Sequence, residues 1–286
     1  MKLIKVPCID GEHEEVVYNI DDFPYFQCLL LPCIRTHKKK SIIAVPSTFD
    51  IETTTIIDPE RPFAFCYQWQ FCLNGWVVMG RRLEEFQEFI YRLIQEMHLT
   101  EERILVCYVH SLSYEFSFLK SWFIMTDVFC LDKRKVARCR MESVIEMRCS
   151  YILSNMTLAK FCENSKGVIH SKLSGDDFNY GKTRTPEMDL TELELAYCYN
   201  DVKGLEECIL SLLDEDTLNT IPMTSTGYVR RDFRNAMKRN RRNRENFLAT
   251  RLDAELFILL HDAFRGGDTH ANISFRRNNR GRNRFE

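Results

Sequence analysis

Asp50-Ile51-Glu52 sits in the run STFDIETT, where an apolar stretch meets two acids. Residues two apart on a strand share a face, so both carboxylates can meet one cation. Glu115 follows in HSLSYEFSFL, early in a segment with helical spacing, and Tyr197 and Asp201 stand four apart in YCYND, on one side of a helix turn. Alone, each of these reads as ordinary surface or cap chemistry. Their order makes a set: two acids on a strand, one at the next strand-to-helix junction, then Tyr and Asp one turn apart. Hard carboxylate oxygens suit magnesium or manganese. Two such ions about 3.5–4 Å apart activate water and stabilise a leaving 3′ oxygen, which is the chemistry of a metal-dependent nuclease.

The elements that must hold these residues follow from periodicity. Residues 41–49, 62–70 and 76–79 read as strands, the last two joined by an Asn74-Gly75 hairpin turn. Leu83, Phe86, Phe89, Ile90, Leu93, Ile94 and Met97 recur at helical spacing. Residues 104–109 form a short buried strand, 113–123 a helix, 127–147 a charged strand pair, and 156–163 a short helix. Residues 175–189 form a polar loop. Thr191 with Glu194 makes a capping box opening a helix to about Leu213. Strands first, then strands and helices mixed, argue an α/β domain.

Composition narrows the class. The chain has 286 residues, 45% hydrophobic and 28% charged, an ordinary globular balance with no run long enough to span a membrane. The N-terminus turns acidic before a signal-peptide core could form, so secretion is not expected. The formal charge of −2 conceals an asymmetry: from Tyr228 onward there are 15 Lys and Arg against 7 Asp and Glu. The densest stretch, YVRRDFRNAMKRNRRNR, read as one helix, puts Arg230, Arg234, Lys238 and Arg241 or Arg242 on one face, with Arg231 beside them. Such a stripe suits a phosphate backbone. The 12 cysteines contain no CxxC pair. Cys66, Cys72, Cys107, Cys130 and Cys198 lie among apolar neighbours and read as reduced core residues. Cys28, Cys33 and His37 are three possible metal ligands, with no fourth at finger-like spacing.

At these motifs the chain resembles the 3′–5′ exonuclease region of family B DNA polymerases, most of all the bacteriophage, protein-primed branch. STFDIETT, HSLSYEFSFL and YCYND resemble its three exonuclease motifs. Thr157-Leu158-Ala159-Lys160-Phe161 is similar to a motif contacting single-stranded DNA, and Tyr180-Gly181-Lys182 to a loop whose lysine holds the scissile phosphate. IPMTSTGYVRRDFR resembles the junction into the polymerase part. Phe264-Arg265-Gly266-Gly267 resembles the Tyr-x-Gly-Gly motif coupling the two active sites.

The resemblance implies a ribonuclease-H-like exonuclease fold, a mixed β-sheet flanked by helices, over residues 40–220. Residues 1–39 would be an N-terminal extension, and 221–286 a junction and partial start of a polymerase domain. It implies Asp50, Glu52, Glu115 and Asp201 as ligands for two divalent ions (Mg2+ or Mn2+), Tyr197 orienting water, and Lys182 neutralising phosphate. Ser111, Tyr114, Phe118, Thr157 and Leu158 would hold a single-stranded 3′ end. Arg230, Arg231, Arg234, Phe264, Arg265, Gly266 and Gly267 would meet primer-template DNA. Cytoplasmic location in a bacterial host, from a phage or mobile element, is also implied.

The chain departs from the pattern at Ser111 and Glu115, where the second motif usually has Asn and Asp, and at Phe264, where it has Tyr. The palm motifs DxxSLYP and DTD do not follow Gly267, so polymerisation by this chain alone is not expected. A separately encoded polymerase half is then an expected partner, and a catalytically weak DNA-binding half the alternative function. Leu256–Leu260 are expected to expose apolar surface. A ribonuclease of the same fold is a third reading, disfavoured by GYVRRDFR and FRGG, for which such an enzyme has no need.

Overall fold

The computed structural model describes residues 1–36, 40–56, 63–174 and 181–263. The chain divides into two compact units, Met1–Val229 and Arg230–Glu286. In chain order the first contains β1 (Lys2–Cys8), β2 (Gly11–Tyr18), α1 (Tyr25–Leu29), β3 (Cys33–Arg35), β4 (Ser41–Ile43), β5 (Ser47–Ile56), β6 (Phe63–Leu73) and β7 (Trp76–Gly80). Then come α2 (Leu83–Glu96), β8 (Arg103–Val109), α3 (Leu112–Leu119), β9 (Met125–Asp132), β10 (Lys135–Met141), β11 (Ile145–Cys149), α4 (Ser150–Ser154), α5 (Leu158–Asn164) and α6 (Glu192–Leu212). Helix α7 (Ser225–Arg239) crosses the unit boundary, and α8 (Arg241–Ala249) and α9 (Ala254–Ala263) follow.

The strands form one mixed sheet in the order β1-β2-β7-β6-β5-β8-β11-β10-β9, with β4 also pairing β8 and carrying β3. β8 runs parallel to β4, β5 and β11, while β5, β6 and β7 form an antiparallel meander. The meander turns at Asn74 and Gly75, both at positive φ (51° and 81°), as a two-residue hairpin requires.

Strand alternation sorts residues between two layers. Phe49 and Ile51 face α2, where the Phe49 and Phe86 rings stack at 4.4 Å and Trp69, Phe71, Phe89, Ile90 and Leu93 complete the core. Thr48 faces the other way, and its hydroxyl donates to the Val202 carbonyl of α6 at 2.7 Å. α2 keeps the expected face, with Leu83, Phe86, Phe89, Ile90 and Leu93 buried and Glu85 closing its first turn.

Several elements differ from the sequence reading. Residues 2–18, expected as part of an extension, form a hairpin whose second strand pairs parallel with β7 through Val17–Val77 and Tyr18–Val78. Ile4, Val6 and Val17 are buried with Val77, Ala196, Tyr199 and Val202, so residue 40 is not a structural seam. β5 continues through the acids to Ile56. The charged strand pair is three strands, β9 to β11, and its edge strand β9 leaves Cys130 exposed rather than in the core. The basic stretch is two helices, broken where the Asn240 side chain caps α8 by accepting from the Arg242 and Asn243 amides. Arg241 and Arg242 therefore do not continue the face of α7. Cys66, Cys72, Cys107 and Cys198 are buried, and all twelve cysteines are unpaired. Cys28 is buried and Cys33 exposed. His37 lies outside the described residues, as do Tyr180, Phe264, Arg265, Gly266 and Gly267. Among the described residues no helix is long and apolar enough to cross a membrane. Leu256–Leu260 of α9 are exposed, as expected.

Candidate active site

Period two along β5 puts Thr48, Asp50, Glu52 and Thr54 on the face turned to α6. Three hydrogen bonds fix this strand. Ser47 donates to the Val106 carbonyl at 3.1 Å, Thr48 to Val202 at 2.7 Å, and Thr54 to the Arg184 carbonyl at 2.8 Å. A bulge follows the second acid: Glu52 pairs Gln68 and Thr53 pairs Cys66, so Tyr67 is the extra residue. Bulges of this kind re-aim side chains beside a site. From β6, Gln70 donates its amide N–H to Asp50 Oδ2 at 3.1 Å.

One oxygen each from Asp50, Glu52 and Asp201 lies within 4.8 Å of the others. Asp201 reaches them from the middle of α6, one turn after Tyr197, which is buried. Glu115 stands in the first turn of α3, where the helix N-terminus favours an anion, and its carboxyl is within hydrogen-bonding reach of Asp50.

The electrostatics follow from crowding. Burial, then the Asp201 charge, pushes Asp50 up to about 7. Glu52 is raised well above the usual range by burial and by Asp50 and Asp201, and Glu115 by burial and Asp50. Burial raises Asp201 against the pull of Lys172. Like charges held together without solvent favour either a proton or a cation.

That nearby cation is a residue the sequence reading did not single out. Lys172 Nζ lies 2.7 Å from Asp201 Oδ2 and 4.8 Å from the centre of the Tyr197 ring. Burial opposes its charge, but Asp201, Asp50 and Tyr197 outweigh burial and raise its pKa. Two residues earlier the backbone packs closely on Gly204 of α6, where an added Cβ would stand 2.1 Å from the His170 carbonyl. The bare backbone lets His170 lie directly against the helix. Lys182, the lysine implied by resemblance, instead meets Glu194 at 3.2 Å, and Arg184 meets the same oxygen at 2.8 Å. Burial opposes the Glu194 charge, but the Thr191 amide, Arg184 and Lys182 hold the carboxyl down at about 2.

A cleft of about 600 Å³ opens beside the acids, lined by Asp50, Asp201, Lys172, Ser111, Thr157 and Leu158, with His110 and Tyr151 among its walls. Thr157 caps α5, accepting from the Lys160 amide at 3.4 Å, and Leu158 is buried. Ser111 is the N-cap position of α3, without a side-chain cap bond. Tyr114 is exposed, hydrogen-bonds Thr53 through its hydroxyl, and lies 5.3 Å from the Phe118 ring. These two rings are not among the cleft-lining residues. His110 Nδ1 meets Ser150 Oγ at 3.0 Å, and burial with the Lys172 charge pushes its pKa down to about 4.

In the second unit, described by itself, Arg234 and Lys238 are exposed on α7 and Arg241, Arg242 and Arg244 on α8. Arg230 and Arg231 also lie on α7, and Arg231 pairs Asp232 at 3.6 Å.

No protein-family profile matches this sequence, and no curated protein is detectably similar. The fold has solved counterparts. A structure of Phi29 DNA polymerase complexed with primer-template DNA is similar to this chain at TM-score 0.60 and 16% identity, over 78% of this chain and 39% of that one. The Aedes aegypti Nibbler EXO domain is similar at TM-score 0.44 and 12% identity, over 69% of this chain and 87% of that one. The chain thus spans well under half of the polymerase it is similar to. Its α/β fold, a mixed sheet flanked by helices, is the ribonuclease-H-like fold expected from the motifs.

Proposed function

We propose that this chain is the metal-dependent 3′–5′ exonuclease region of a family B-type DNA polymerase, removing nucleotides from single-stranded DNA ends. The observation that carries this reading is the convergence of Asp50, Glu52 and Asp201 within 4.8 Å, beside an open cleft.

Divalent ions fit these residues. The donor set is all carboxylate oxygen, which favours magnesium or manganese over softer metals. Asp201 Oδ1 and Glu115 Oε2 are buried and make no hydrogen bond among the described residues, so each has a lone pair to give. Asp50, Glu52 and Asp201 would hold the ions, with Glu115 beside Asp50. Bound ions supply an acidified water and neutralise charge on the leaving oxygen.

The chain's own groups do the rest. Tyr197, one turn before Asp201, would orient the attacking water through its hydroxyl. Lys172 brings positive charge to the carboxylates, where an incoming phosphate needs neutralising, and is better placed for this than Lys182. Ser111, Thr157 and Leu158 line the cleft that would take the terminal nucleotides. Tyr114 and Phe118 offer faces on which unpaired bases stack, at about 1–3 kcal/mol per base. Arg230, Arg231 and Arg234 would meet the phosphates of primer-template DNA. The alternative, a DNA-binding half of a split polymerase with weak catalysis, draws on Ser111, Glu115 and the basic helices.

The test is degradation of a 5′-labelled single-stranded oligonucleotide with Mg2+ or Mn2+, beside Asp50→Ala with Glu52→Ala. A ladder shortening from the 3′ end, lost in the variant, is the expected result. Absence of a ladder with a salt-sensitive gel shift would overturn the exonuclease and favour the binding half.

A further inference from the structure

The β1–β2 hairpin brings together side chains of a different kind. Across its ladder Val6 pairs His13 and Cys8 pairs Gly11, so period two puts Val6, Cys8, His13 and Glu15 on one face. Val6 is fully buried on that face, against the core shared with α6. Glu15 accepts from the Tyr199 hydroxyl at 2.8 Å, and Asn200 donates to the Pro7 carbonyl at 2.9 Å. The thiol of Cys8 and the imidazole of His13 therefore lie on the side turned to the protein. Asp10, in the turn, completes a set whose ligand atoms all lie within 4.8 Å of one another, with His13 Nε2 and Asp10 Oδ1 already 3.1 Å apart.

The surroundings suit a cation. His170 stands edge-on to His13, ring centres 6.5 Å apart, and is 2% exposed. Its Nδ1 meets Glu207 at 2.6 Å. Its buried Nε2 makes no hydrogen bond among the described residues, although Glu15 Oε1 lies 3.3 Å away. Two histidines, a thiol and several carboxylates thus crowd one end of the sheet, and the exonuclease reading uses none of them.

We propose that Cys8, Asp10 and His13 form a second metal site, for a zinc-type divalent ion, with one coordination position open. A thiolate with an imidazole selects zinc or cobalt and disfavours magnesium. Bonds of about 2.0–2.3 Å in a tetrahedron put ligand atoms roughly 3.3–3.8 Å apart, so separations within 4.8 Å need to close by at most about 1–1.5 Å. Rotation of the Cys8, Asp10 and His13 side chains would supply that. Binding forms one metal–sulfur bond and releases the thiol proton to the buffer.

Cobalt(II) alone, added to the full chain, tests this. One equivalent is expected to give thiolate-to-cobalt charge-transfer absorption, absent in Cys8→Ser and at least tenfold weaker in apparent affinity in His13→Ala. On the unmodified chain, zinc is expected to slow iodoacetamide alkylation of Cys8 at least tenfold, while magnesium does not and the exposed Cys33 reacts as before. The alkylation measurement stands even if a variant fails to fold. Charge transfer that persists in Cys8→Ser, or Cys8 alkylated equally fast with zinc, would overturn the site. Either outcome is independent of the oligonucleotide ladder.

Discussion

Asp50, Glu52 and Asp201 come from a central strand and a distant helix, whereas Cys8, Asp10 and His13 fall within one hairpin. The first set is assembled by the whole fold and is largely buried, so like charges are held together at the expense of stability. The second is assembled by a turn, is partly solvated, and mixes sulfur, nitrogen and oxygen. On the proposed reading, long-range assembly would give a hard, oxygen-only cation site. Local assembly gives a softer and more adjustable one. The contrast predicts different metals and different consequences of mutation.

The largest effect separates the two clusters. Loss of an outer partner of a metal ligand costs about 10–100-fold in activity, and loss of ligands themselves costs more. Asp50→Ala with Glu52→Ala is therefore expected to lower single-turnover exonuclease rates by more than ~100-fold. Cys8→Ser is expected to leave them within about twofold, since the thiol belongs neither to the Asp50, Glu52 and Asp201 set nor to the lining of their cleft. An equal fall in both would break the comparison.

Next in size is the choice between lysines. Lys172→Ala removes the cation that touches Asp201 and is expected to slow cleavage about 10–100-fold. Lys172→Arg should restore part of the loss. Lys182→Ala should act mainly on stability, through Glu194. A larger catalytic loss at Lys182 than at Lys172 would return the phosphate role to the loop implied by resemblance.

Acidity sharpens the contrast further. Burial and Asp201 push Asp50 up to about 7, so the folded, metal-free protein keeps a proton that the unfolded chain releases near pH 4. The stabilising contribution is present below pH ~4 and lost as pH rises towards about 7. Thermal midpoints in chelator should show this fall, Asp50→Asn should flatten it, and magnesium should offset it. His110 works in the opposite sense. Burial and Lys172 depress it to about 4, so its contribution is present above pH ~6.5 and lost as pH falls towards 4. His110→Gln separates the two.

The smallest effect belongs to the basic helices. Each phosphate contact adds about 0.9 to the slope of log affinity against log salt on the duplex part of a primer-template. Arg234→Ala should reduce that slope by about this amount in a fluorescence titration, leaving cleavage of short oligonucleotides unchanged. No change in slope would remove Arg234 from the DNA interface.

Much of the fold was legible because burial imposes periodicity. The run from Ser47 to Glu52 alternates between two layers, α2 shows five buried residues at helical spacing, and Thr191 with Glu194 announces α6. The N-terminal hairpin was not legible, because GEHEEVVY spends its inward positions on His13 and Glu15, which look like solvent-facing charges. The break at Asn240 was hidden because Asn235 and Asn243 stand in the same arginine-rich stretch without breaking a helix. At the site, three acids could be read from their elements. Lys172 could not, because it lies in a segment without regular structure and is positioned by contact with a helix far along the chain.

That contact makes α6 a straightedge for the segment laid along it. With the His170 carbonyl seated against Gly204, two residues before Lys172, the reach of the lysine is gauged from backbone to backbone. A single methyl inserted there would act as a shim, parting the segment that carries Lys172 from the helix that carries Asp201. The charge at the acids can thus be adjusted from a position that touches none of them.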